Sequence, residues 1–307
     1  MVRAELFPAG CIIKNMILPK IKIQRLTQLS EIRLFYKFLN HPQYPNHKNL
    51  IYNAHPKLRV LLESEVNSKA AVKKYIKNMI SAHRTAIEKA ASDAAISARS
   101  LKHCLEALGK SMGFRWRKPI AYVARPTLLP FSPFDKLSFS FSILSRVYGK
   151  ELESFSRIAI HEISHFVLFE MLKSIEKQGK LSSDARHYLK EAVTAALFNE
   201  TPLSRALRIE NYPGNPEIRL LRVKFPSKAP LPLVKWIRDE YSKSSNFPDL
   251  LIRLVRIFRA SQKELGKKRK MWNRYGKKIF EERRLRNNYS RPILIAKKKG
   301  LEKLSLP

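Results

Sequence analysis

From Ser154 to about Lys177 the chain runs without a proline or glycine, and the helix this predicts is apolar on nearly every face. Ile158, Ile160, Ile163, Phe166, Val167, Leu168, Phe169, Met171 and Leu172 leave it no solvent side, so it belongs at the centre of a fold with other elements around it. In its middle stand His161, Glu162 and His165. Polar groups buried there without partners cost about 1–3 kcal/mol each, so the helix needs something to satisfy them. Residues four apart share a helix face, which lets both imidazoles meet one metal ion while Glu162 lies beside an open coordination position. With eight His and 25 acidic residues in 307, a run of the form H-E-x-x-H arises by chance only about once in fifty such chains.

A second helix is predicted from Ser182-Ser183-Asp184, which are good capping residues, to about Phe198, where Asn199 and Thr201-Pro202 stop it. Its Glu191 shares a face with His187, Tyr188, Thr194 and Ala195, and the small pair permits close approach to another helix. A catalytic Zn²⁺ takes three protein ligands and leaves the fourth place to water. His161, His165 and Glu191 make such a set, with Glu162 as general base; Asp184 and His187, one or two turns earlier, stand as alternative third ligands. Tyr148, His187, Tyr188 and Tyr212 are the candidate donors to a developing oxyanion.

Upstream, Leu58 to Leu108 carries apolar residues at helical spacing and reads as one long helix or two consecutive ones. A short strand is expected at Pro119–Ala124, ended by Pro126. Leu137 to Ile143 alternates apolar and hydroxyl residues as a half-buried strand does, with its serines toward water or a neighbour. Glu151 to Glu153 mark the start of the motif helix. Six prolines or glycines between Tyr212 and Pro232 suggest a linker. Beyond it, Pro248 opens a helix with Leu250, Leu251, Leu254, Val255 and Phe258 on one side and Arg253, Arg256 and Arg259 on the other. The remaining residues interleave cations, Lys297 to Lys299 among them, with Trp272, Tyr275 and Phe280, and are expected to fray.

Charge is the dominant feature of composition: 60 Lys and Arg against 25 Asp and Glu, a formal +35, of which the stretch from Leu251 onward holds 19 basic and 4 acidic residues. Such a surface attracts polyanions, whether nucleic acid or an anionic bilayer on which the Arg-bearing helix would lie. Cys11 and Cys104 stand far apart and offer no disulfide framework or cysteine zinc ribbon. With no convincing signal peptide and no long apolar run, the expected location is cytoplasmic.

On His161 to His165, with Glu191 following within Lys190-Glu191-Ala192-Val193, the chain resembles the zincin metallopeptidases, more narrowly the gluzincins. The resemblance implies zinc ligands at His161, His165 and Glu191, a base at Glu162, and an edge strand, Leu137 to Ile143, that aligns a peptide substrate. Leu168 and Met171 stand where a metzincin would need glycine and histidine, and Lys190 replaces the asparagine common in thermolysin-like members. The implied fold is α+β: a small, mostly antiparallel sheet with an active-site helix and a glutamate helix, plus a basic helical C-terminal region. The segments expected are an N-terminal extension at 1–58, a zincin-like catalytic domain at 59–211, and a Pro-rich linker with the basic region at 212–307. The implied activity is zinc-dependent peptide-bond hydrolysis on a peptide or protein substrate. The alternative is a basic nucleic-acid-binding protein whose zinc site is structural or inactive.

Overall fold

The computed structural model describes residues 17–41, 45–64, 68–148, 154–176, 179–200, 202–225 and 229–294. Cys11, Glu151 to Glu153 and Lys297 to Lys299 lie outside them, as does the side chain of Phe280. The chain is a mixed α and β protein, mostly helical, and it divides into two compact units. Over the described residues, one comprises 17–106 together with Trp116–Phe166; the other comprises Ala107–Arg115 and the chain from Val167 onward.

The first unit opens with β1 (Lys20–Ile23) and then α1 (Gln28–Leu39), where the Thr27 side chain accepts from the Ser30 amide and caps the helix. Next come α2 (Pro45–Ala54), α3 (Pro56–Ser64), α4 (Ser68–Ala82), α5 (Arg84–Arg99) and α6 (Lys102–Ser111), four of them across the stretch read as one or two helices. Strands β2 (Ala121–Thr127), β3 (Phe134–Asp135) and β4 (Ser138–Ser142) follow, then α7 (Leu144–Val147) and α8 (Phe155–Ile175), the division between the units falling within α6 after Glu106 and within α8 after Phe166. Residues 17–58 therefore supply β1 and the first helices to this unit and do not stand apart as an extension.

The sheet order is β1-β2-β4-β3. Contrary to the antiparallel expectation, β1 pairs with β2 and β2 with β4 in parallel, and only the two-residue β3 runs antiparallel. The long helical passage between β1 and β2 provides the crossover that parallel neighbours need. Pro126 lies inside β2, at a place where β1 has already ended and an amide on that side has no strand to serve. Nor is β4 a free edge: β2 covers one side, while β3 and the Pro133 carbonyl, which accepts from the Ser140 amide at 2.7 Å, cover the other. Ser140 is buried with Phe139 and Phe141, so this strand packs on both faces despite its alternation.

Beyond β2 the chain is clamped by buried polar groups. The Glu31 carboxylate accepts from the Thr127 hydroxyl at 2.8 Å and the Leu128 amide at 2.7 Å. His55 Nε2 donates to the Leu128 carbonyl at 2.8 Å, which leaves Nδ1 to accept from the Tyr75 hydroxyl, also at 2.8 Å.

The second unit contains α9 (Ser183–Leu197), α10 (Leu203–Leu207), α11 (Pro216–Leu220), β5 (Arg222–Lys224), β6 (Leu231–Pro232), α12 (Leu233–Lys243), α13 (Phe247–Ala260), α14 (Gln262–Glu281), α15 (Arg283–Tyr289) and β7 (Ile293–Leu294). The proline-rich stretch is thus no linker: it forms α11 and two strands of a small sheet ordered β6-β5-β7. Nor do the last helices fray over the described residues. Asn246 caps α13, and its apolar residues Leu250, Leu251, Leu254, Val255 and Phe258 are all buried in the core. That face is therefore not available to a bilayer. Among the described residues no helix is long and apolar enough to cross a membrane.

Candidate metal centre

Helix α8 matches the predicted span, and its burial explains its composition. His165 and Ser164 are buried, Glu162 is buried, and His161 is partly exposed at the middle of the same helix. The Ser164 hydroxyl donates back to the His161 carbonyl at 2.6 Å, so it is satisfied within the helix. The two imidazole centroids lie 4.5 Å apart at 73°, neighbours on one face as the four-residue spacing requires. Phe134 of β3 packs beside His165 at 5.6 Å and against Phe166 at 5.9 Å, and Tyr122 of β2 stacks on Phe166 at 5.3 Å. The sheet thereby holds the second histidine's ring in place.

Helix α9 starts where its caps predicted, with the Ser182 side chain accepting from the Ala185 amide at 3.2 Å. His161, His165 and Glu191 each offer a ligand atom, and these atoms lie within 4.8 Å of one another. They are the one such group of three His, Cys, Asp or Glu among the described residues. Two nitrogens and one carboxylate oxygen suit zinc, whose ligands stand about 2.0–2.2 Å from the ion. Closing a set of this span around an ion takes side-chain adjustment on the order of an ångström. The donor chemistry fits; it also suits other divalent ions that take imidazole and carboxylate.

Of the alternative third ligands, neither belongs to the group. Asp184 Oδ2 lies toward Gly266 of α14, and His187 Nε2 meets the Glu217 carboxylate at 3.3 Å. Burial pushes the His187 pKa down, opposed by the hydrogen bond to Glu217. The candidate oxyanion donors are also engaged elsewhere. Tyr148 is half exposed and donates to the Ala54 carbonyl at 2.7 Å, Tyr188 donates to Glu217 at 2.5 Å, and Tyr212 packs its ring on Phe198.

Two features were not anticipated. Lys190 is buried and pairs through its ammonium with the Glu191 carboxylate, placing a cation at the candidate ligand. Glu217, in the supposed linker, is buried at 1% exposure at the centre of a network. It takes Arg269 of α14 as an ion pair, hydrogen bonds from Tyr188 and His187, and a Tyr289 hydroxyl standing 3.2 Å from that of Tyr188. Only the acid itself was visible in the sequence, with no local pattern to mark it.

The far end of α9 is held by a loop. Asn199 exchanges two hydrogen bonds with the Tyr212 backbone, at 2.8 and 2.9 Å, and Gly214, at φ +67°, lies so close to Ala195 that a Cβ there would stand 2.8 Å from the alanine methyl. The small residue predicted to admit a neighbouring helix admits this glycine instead.

The chain matches no family model, no curated protein and no solved structure.

Proposed function

We propose that the protein is a zinc-dependent peptide hydrolase of zincin-like, gluzincin-type design, with His161, His165 and Glu191 as the metal ligands and Glu162 as the general base. The observation that carries this reading is the convergence of three ligand atoms from two helices beside a buried glutamate. When bound, zinc polarises the scissile carbonyl and lowers the pKa of water. Glu162 accepts the proton from the attacking water and delivers it to the departing amine nitrogen, so the peptide is cleaved without a covalent intermediate. Phe134 and the apolar surroundings of α8 exclude bulk water, which strengthens the charge interactions around Glu162. The parallel, covered β4 does not supply the substrate-aligning edge that the resemblance implied, so substrate would be held by other surfaces.

Metal content and peptidase activity of the purified full-length chain test this. The expected results are about one zinc per chain in the wild type, loss of zinc in His161→Ala and in Glu191→Ala, and retained zinc in Glu162→Gln with cleavage of a casein-type substrate reduced at least ~100-fold. Zinc kept in Glu191→Ala would return His187 and Asp184 to consideration, and full activity in Glu162→Gln would refute the base assignment.

A further inference from the structure

The exposed side of α14 bears a row of cations that the candidate metal centre does not use. Lys263, Lys267, Lys270, Arg274, Lys277 and Lys278 are all exposed, while the intervening Leu265, Lys268, Arg269 and Ile279 are buried. At 100° per residue the six fall within about 100° of arc, and at 1.5 Å per residue they extend over about 22 Å. None forms an ion pair among the described residues. Half-buried Glu264 lies at the flank near Lys267, and Glu281 ends the row. In the other unit some cations are paired, Arg59 with Glu63, Arg84 with Glu88 and the half-buried Arg146 with Asp93. A row of like charges on one helix repels itself by a few tenths of a kcal/mol for each neighbouring pair, a cost that Glu264 and Glu281 relieve only at the two ends.

The inner face of α14 is anchored by buried side chains. The Lys268 ammonium donates to the carbonyls of Asn288, Tyr289 and Arg291, and Arg269 pairs with Glu217. Trp272 packs on Tyr289 with centroids 5.5 Å apart and closes over Gly276, where a Cβ would meet the indole at 3.1 Å. Tyr275 is half-buried beneath Arg274. Trp272 and Tyr275 are therefore engaged by the protein itself.

We infer that this row is a docking surface for the phosphate backbone of duplex nucleic acid, bound without regard to sequence. A duplex presents one negative charge per about 1.7 Å of axis, so a row of about 22 Å can neutralise several phosphates. Single strands are held largely by stacking on exposed rings, and Trp272 and Tyr275 are half-buried against Tyr289 and Arg274. An acidic protein partner would want an apolar or aromatic anchor, and a bilayer an exposed apolar flank; the described side chains on the exposed face of α14 provide neither. This inference stands independently of the metal centre.

Fluorescence anisotropy with a labelled 20-base-pair DNA duplex and the full-length chain tests it. One variant carries Lys263→Gln, Lys267→Gln, Lys270→Gln, Arg274→Gln and Lys277→Gln. A control loses the same charge through Lys57→Gln, Lys69→Gln, Lys73→Gln, Lys77→Gln and Lys89→Gln, all exposed residues of the other unit. The α14 variant should bind at least ~10-fold more weakly and its dependence of log K on log salt should be shallower by about four, while the control stays within about twofold. If the α14 variant melts early, the single Lys270→Gln and Arg274→Gln changes should each flatten that slope by about one. Equal losses in both variants, an unchanged α14 variant, tighter binding of an oligo-dT strand than of the duplex, or row-dependent binding of phosphatidylserine vesicles without duplex binding would each overturn the inference.

Discussion

Each unit buries one glutamate to the same 1% exposure, and the two are handled in opposite ways. Glu31 in the first unit receives only neutral donors, a hydroxyl and an amide, and burial outweighs them: its pKa is raised to about 7. Glu217 in the second unit is met by the Arg269 guanidinium, the Tyr188 hydroxyl and His187, so a positive charge is built in beside the acid. The same burial thus produces a proton-sensitive group in one place and an ion pair in the other. Glu191 at the candidate metal centre is a third variant. It has a lysine beside it and two imidazoles within ligand range, a mixture that invites exchange of one cation for another.

The strongest way to break this comparison is Glu217→Ala, which leaves Arg269 buried without its partner. It should destabilise the fold by about 3–5 kcal/mol in urea unfolding, and adding Arg269→Met should recover a large part of that loss. A cost no greater than that of a surface change would mean that the guanidinium does not depend on the acid. Next in size is Glu31→Gln. Because the folded pKa of Glu31 lies above its ordinary 4.5, the folded state holds a proton that the unfolded chain releases between about pH 4.5 and 7. Stability from this group is complete below that window and is lost as pH rises through 7. The glutamine variant should remove that slope and gain up to about 3 kcal/mol at pH 8 relative to wild type, read from parallel urea titrations at about pH 5 and pH 8. A wild-type curve with no fall between those values would contradict the raised pKa. The smallest expected effect is at Lys190→Met: with the competing ammonium gone, zinc affinity measured against a chromophoric chelator should rise about tenfold, roughly 1.4 kcal/mol. Weaker binding would instead make Lys190 a residue that orients the Glu191 carboxylate.

Where the sequence carried a local physical signal, the elements lie where they were expected. The unbroken apolar run defined α8, and the serine caps and Asn199 framed α9. The imidazole pair was legible because a four-residue spacing has one outcome on a helix. The third member of the cluster was not decidable in the same way, since Asp184, His187 and Glu191 all fall on one face of α9. Their height along the axis, set by tertiary packing against Glu217 and Gly266, separates them. Alternation in Leu137 to Ile143 announced a strand but not the direction of its neighbours, and it concealed that Ser140 would be buried. The prolines between Tyr212 and Pro232 read as a linker or an irregular extension, yet Pro216 begins a helix after the Asn215 cap and carries Glu217 into the core. Networks assembled from residues dozens of positions apart leave no periodic trace.

Gly214 fixes a distance by what it lacks. With a hydrogen where every other residue has carbon, it lets the 212–214 backbone settle onto Ala195, one turn beyond Glu191. Any larger group would act as a wedge under the last turns of α9, shifting a carboxylate whose usefulness depends on fractions of an ångström. The tolerance of the candidate metal centre to sequence drift is therefore limited by a position outside the cluster of its candidate ligands.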